Sequence, residues 1–172
     1  LMTDANVEKV YGLFTNFEDA ASAVQELTLG GYPSQHITMI VNNADGRLDK
    51  YTVENLQDDA VDAEDGAGFG AVVGTLTALG VAVIPGVGPL LAAGPLAAAL
   101  IAGIGAAAGA ITGAAVGEMV EFDIDKEDAE HYAQVLRDGG ALLVVDEYDK
   151  WDDDVIENIM EKYSPVSVED TD

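Results

Sequence analysis

The sequence predicts an α+β fold: a ferredoxin-like β-α-β/α-β-α-β sandwich with an inserted apolar glycine-zipper α-helical hairpin. Three observations carry this. Short β-prone runs alternate with amphipathic helical stretches on either side of the chain's centre. Two of those helical stretches stop at a Gly-Gly pair followed by a strand-like run, at Gly30-Gly31 and at Gly139-Gly140. Between the halves, every residue from Gly66 to Gly117 is uncharged, although the chain has a formal net charge of −25.

Residues 7–50 form the N-terminal βαβ half. Val10 to Phe14 is an apolar, β-prone run, and Asn16 with Asp19 three residues on resembles a capping box opening a helix. Phe17, Ala20, Ala21, Val24 and Leu27 make one apolar stripe on that helix. Ile37 to Val41 is the next strand, bounded by Pro33 and Ser34 before it and by Asn42, Asn43, Asp45 and Gly46 after it. Residues 51–65 are an acidic linker ending in Asp58, Asp59, Asp62, Glu64 and Asp65.

Residues 66–117 are the expected helical hairpin. Gly66, Gly70 and Gly74 recur every fourth residue, and Gly105, Gly109, Gly113 and Gly117 repeat the pattern in a second arm. Residues four apart share a helix face, so each arm would offer a small-residue stripe along which another helix can pack closely. Pro85, Gly86, Gly88 and Pro89 mark the turn between arms read as helices over Phe69 to Ile84 and Leu96 to Val116. Such arms are about 25–30 Å long at 1.5 Å per residue, near the thickness of a bilayer core.

Residues 118–168 form the C-terminal αβαβ half. Asp125 and Asp128 open a helix with a stripe at Ala129, Tyr132, Ala133 and Leu136, and Ala141 to Val145 is a strand. Asp152, Asp153 and Asp154 favour the positive end of a last helix. Its expected buried face is Val155, Ile156, Ile159, Met160 and Tyr163, and Val166 to Val168 is an edge strand. Helices are expected on one face of a mostly antiparallel sheet. The helix, Gly-Gly, strand echo between the halves hints at an internal duplication.

Composition narrows the function. Seven Lys and Arg face 32 Asp and Glu, which disfavours nucleic acid and anionic lipid headgroups as partners. Spread through amphipathic segments, this charge suits a salt-loaded cytoplasm, where a Debye length of about 3 Å at molar salt screens self-repulsion. It implies diffuse cations on the surface, with no EF-hand register to concentrate them. The chain has no cysteine, which excludes disulfides and thiolate chemistry. His36 and His131 fall on separate elements without metal-ligand spacing. Gly103-Ile104-Gly105-Ala106-Ala107-Ala108 fits a loose dinucleotide pattern but follows an Ala-rich helical run where a strand is needed. No catalytic, cofactor or metal residue is therefore assigned, and an enzyme is not expected. No basic region followed by an apolar run opens the chain, so no signal peptide is expected.

The string Ile84-Pro85-Gly86-Val87-Gly88-Pro89-Leu90-Leu91, its Gly-Ala continuation, and the later His131-Tyr132, Leu136-Arg137, Gly139-Gly140 and Leu142-Leu143-Val144 pattern resemble a known group. They are similar to the bacterial general-stress, low-temperature-induced family with a YflT-like N-terminal domain, here in a halophilic form. The resemblance implies stress-linked expression, a glycine-zipper hairpin often read as a membrane segment, and no enzymatic activity.

The leading expectation is a structural protein that self-assembles through its hairpin, either at the inner face of the cytoplasmic membrane or as a closed particle of identical subunits in the cytoplasm. The alternative is a membrane-tethered regulatory or ligand-sensing module. A convergent polar pocket would favour sensing, and a sheet edge paired to a neighbour would favour assembly.

Overall fold

The computed structural model describes residues 7–46, 80–84, 86–107 and 126–170. Among them are β1 (Lys9–Phe14), α1 (Phe17–Leu29), β2 (Ile37–Asn42), β3 (Gly80–Ile84), β4 (Gly88–Ala93), α2 (Ala97–Ala107), α3 (Lys126–Arg137), β5 (Ala141–Asp146), α4 (Asp153–Glu161) and β6 (Ser167–Asp170). The strands form one antiparallel sheet in the order β3-β4-β2-β5-β1-β6.

Local signals set the helix ends. The Asn16 side chain accepts from the Asp19 N–H at 2.9 Å while its amide donates to the Asp19 carboxylate at 2.9 Å, a reciprocal cap on α1. At its other end the Tyr32 N–H reaches the Leu27 carbonyl and the Gly31 N–H reaches Thr28, with Gly31 at φ +97°. In α3 the same pair of bonds runs from Gly140 to Val135 and from Gly139 to Leu136, with Gly139 at φ +103°. The two Gly-Gly pairs are thus one residue out of step: Gly31 matches Gly139, whereas Gly140 is the residue after the left-handed one. A Cβ on Gly140 would lie 2.5 Å from the Phe14 carbonyl oxygen, so close backbone approach reserves that position for glycine. The Asp152 side chain accepts from the Val155 N–H at 3.1 Å to cap α4.

Helices cover both faces of the sheet, not one as expected. On one face α1 and α4 pack over Val10, Phe14, Met39, Val41, Leu143 and Val145. On the other, Leu96 just before α2, Leu100 and Ile104 from α2 and Tyr132, Ala133 and Leu136 from α3 pack over Tyr11, Leu13, Ile40, Leu142 and Val144. The reason lies in the strands. All six residues of β1 and all six of β5 are buried, which a sheet with one wet face does not allow. The helix, Gly-Gly, strand echo is therefore no structural repeat, because α1 and α3 lie on opposite faces. Val155, expected on the buried face of α4, is exposed.

The largest departure concerns the expected helical hairpin. Residues 80–84 and 88–93 are strands paired Gly80↔Ala92 through Ile84↔Gly88, and β4 continues the sheet by pairing with β2. Val81, Val83 and Ile84 are β-branched and suit a pleated strand. Pro89 lacks an N–H, but it sits opposite Val83 and turns its carbonyl the other way, to the Asn43 N–H at 2.9 Å. Among the described residues α2 keeps the helical character expected of the second arm, and residues 66–79 and 108–117 of the expected hairpin lie outside them. Among the described residues no helix is long and apolar enough to cross a membrane.

Candidate functional site

The turn residues come together at the tip of the β3–β4 hairpin. Gly86 and Gly88 hold φ +85° and +114°, in the left-handed region that glycine enters without a Cβ penalty. Val87 between them is buried, and its N–H donates to the Ile84 carbonyl at 2.9 Å. Arg137 at the end of α3 donates from Nε to the Gly86 carbonyl and anchors the tip. Pro89 is the second residue of β4. Gly105 lies in α2 and is buried within its own chain. Gly66, Gly70, Gly74, Pro85, Gly109, Gly113 and Gly117 lie outside the described residues.

Beyond the tip, Gly94 at φ +106° lets the chain leave β4 against β2, where a Cβ would run into the Ile37 carbonyl and the Thr38 backbone. The Leu96 N–H then donates to the buried Thr38 hydroxyl at 3.1 Å, and α2 crosses the sheet.

The two sheet edges differ in charge. On β6 the outer residues are Glu169 and Asp170, both exposed. Partial burial, then Asp170 of β6 and the acids Asp153, Glu161 and Asp154 of α4, push the nearby Glu157 carboxyl above its ordinary range. The opposite edge, β3, has no charged residue, and among the described residues it pairs only with β4. Val83 on β3 is 69% exposed. Among the described residues nothing pairs with its outer side, and an apolar edge strand without charge or proline is a template for further pairing. In a chain of net charge −25, β3, β4 and α2 carry no charged residue of their own, and Arg137 of α3 meets them at the hairpin tip. The signal that could have found this edge was the β-branched Val81-Ala82-Val83-Ile84 run.

A second constellation closes the opposite end of β2. The Tyr32 hydroxyl donates to the Asp146 backbone carbonyl, and burial, then the Asp146 charge, push that hydroxyl far above the ordinary phenol range. His36 Nδ1 stands 3.8 Å from the Asp146 carboxylate, a contact that becomes an ion pair only when the imidazole is protonated. The His36 ring stacks on Tyr148 at 4.7 Å, and Trp151 meets Tyr32 edge-on at 5.6 Å. Tyr148 and Trp151 exchange backbone hydrogen bonds across a two-residue loop, with Asp149 at φ +53°. The Trp151 ring lies against Gly30, where a Cβ would come within 2.8 Å of it. These contacts make Trp151 and Tyr32 packing residues. Beside them Val7, Glu8, Glu147, Tyr148, Asp149, Trp151 and Asp152 line an open cleft of about 300 Å³. Its chemistry suits a cation, with acids around an aromatic wall.

His131 is exposed on α3 and joins neither constellation. Among the described residues no group of three His, Cys, Asp or Glu could hold a metal ion. No protein-family model matches the chain, and neither a curated protein nor a solved structure does.

Proposed function

We propose that this chain is a non-enzymatic structural protein that works by associating with copies of itself through its uncharged edge. The observation that carries this is the uncharged β3 edge on a chain of net charge −25. A symmetric contact sets each patch against its own copy, so any acidic patch would face the same acids. The uncharged edge escapes that repulsion, and salt that screens the remaining acids favours the assembly. Its stress linkage rests on the sequence resemblance, and its cytoplasmic setting on the acidic composition. A ferredoxin-like relationship is supported by the order β2-β5-β1-β6, in which β1-α1-β2 and β5-α4-β6 interleave.

Sedimentation velocity of the wild type over a range of concentrations in molar salt tests this reading. Species heavier than the 17.9 kDa chain that grow with concentration are expected. A single 17.9 kDa species at every concentration would contradict it.

The sensing alternative draws on the cleft beside Trp151. A saturable change in the fluorescence of the single tryptophan on titration with an organic ammonium ion, at constant ionic strength, would favour it. An unchanged spectrum counts against it.

A further inference from the structure

We infer that β3 pairs antiparallel with β3 of a second copy about a two-fold axis at Ala82, joining two sheets edge to edge. The inference rests on the self-association proposed above and names its surface and register.

The direction of the backbone groups fixes the register. The Pro89 carbonyl faces β2, where it accepts from Asn43, so Leu90 turns its N–H and C=O towards β3. Leu90 stands opposite Ala82, which spends its own backbone groups on β4. Alternation along the strand then points the N–H and C=O of Val81 and Val83 outward. Two outward residues separated by one inward residue are complementary to themselves. Antiparallel pairing about Ala82 sets Val81 opposite the partner's Val83 and Val83 opposite the partner's Val81. Both are hydrogen-bonded pairs, and this register satisfies the outward groups of both residues on both strands.

Charge selects a second copy as the occupant. A cationic partner would be drawn to the acidic remainder of the surface, not to its uncharged edge. The same contact between two β6 edges would set Glu169 and Asp170 against their own copies, which like-charge pairing disfavours.

Cross-linking reads the register directly, because the chain has no cysteine of its own. In Ala82→Cys the two thiols belong to a directly opposed, non-hydrogen-bonded pair with Cα atoms about 4.5 Å apart, within disulfide reach. In Val83→Cys the thiols are offset by about 7 Å along the strands in addition to the roughly 5 Å between them, beyond that reach. Mild oxidation in molar salt is expected to convert most Ala82→Cys to a covalent dimer that a reductant returns to monomer, and to leave Val83→Cys without a cross-link. In the wild type, amide exchange at Val81 and Val83 is expected to slow as concentration rises, while that at Ala82 stays constant. If the wild type associates but Ala82→Cys does not cross-link, or both variants cross-link equally, the register is wrong while self-association stands. If the wild type is monomeric at every concentration, both proposals fall.

Discussion

Arg137 Nε donates to the Gly86 carbonyl, tying the last turn of α3 to the tip of the β3–β4 hairpin. The guanidinium also reaches the Gln134 side chain at 3.0 Å, which fixes it along its own helix. One cation, in a chain with only seven Lys and Arg, thus ties the hairpin tip to the helical layer. Arg137→Ala removes a hydrogen bond of about 1 kcal/mol. Exchange at the Val87 amide, which closes the same turn, should quicken roughly five-fold, with the amides of β5 unaffected. Equal protection in the two proteins would show that the contact does not hold the tip.

Gly140 and Gly31 separate two reasons for needing glycine. Gly31→Ala meets nothing within 4 Å and loses only the ease of a left-handed backbone, about 1 kcal/mol. Gly140→Ala drives a Cβ into the Phe14 carbonyl and into Val135, an overpacking cost of about 1–3 kcal/mol. Urea denaturation should therefore rank Gly140→Ala below Gly31→Ala, and the reverse order would contradict the packing account.

Much of the sandwich is legible in the residues. Asn16 and Asp19 announce the start of α1, and Ala129, Tyr132, Ala133 and Leu136 give the buried face of α3. The second helical layer was legible only through Ala141 to Val145, an unbroken apolar run that one wet face would have interrupted. The β3–β4 hairpin was obscured because small residues every fourth position in this uncharged stretch mimic a helix face. Gly80 to Ile84 shows that β-branched residues on the same stretch favour a strand once β4, itself paired to β2, offers its edge. The Tyr32 to Asp146 contact joins residues 114 apart in the chain, and no local pattern encodes it.

Glu147 supplies a pH test. Partial burial and the neighbouring Glu8 hold its carboxyl above the ordinary value of 4.5, against the opposing pull of the Asp153 N–H. A raised value means that the folded state holds the proton more tightly, so ionisation at neutral pH costs stability. Glu147→Gln keeps an acceptor for Asp153 and removes the charge. It should stabilise the fold at pH 7 by no more than about 0.5 kcal/mol, because solvent screens a partly exposed carboxylate. The advantage should fade as pH falls through the raised value towards 4.5. A gain that persists in acid would assign it to something other than charge.

Trp151 anchors the loop that closes the polar end of the sheet. It is 8% exposed and packs on Tyr32 and Gly30. Trp151→Ala should cost about 3–5 kcal/mol, read by circular dichroism in urea, and Trp151→Phe should recover part of that loss. A cost below 1 kcal/mol for the alanine variant would contradict the packing role.

Light scattering on the wild type and Val83→Lys, in the same molar salt, tests the central claim most directly. Val83 is 69% exposed, so a lysine there charges the edge without disturbing the core. The expected result is a wild type heavier than 17.9 kDa and a folded Val83→Lys at 17.9 kDa. Equal masses for the two proteins would contradict assembly through the uncharged edge.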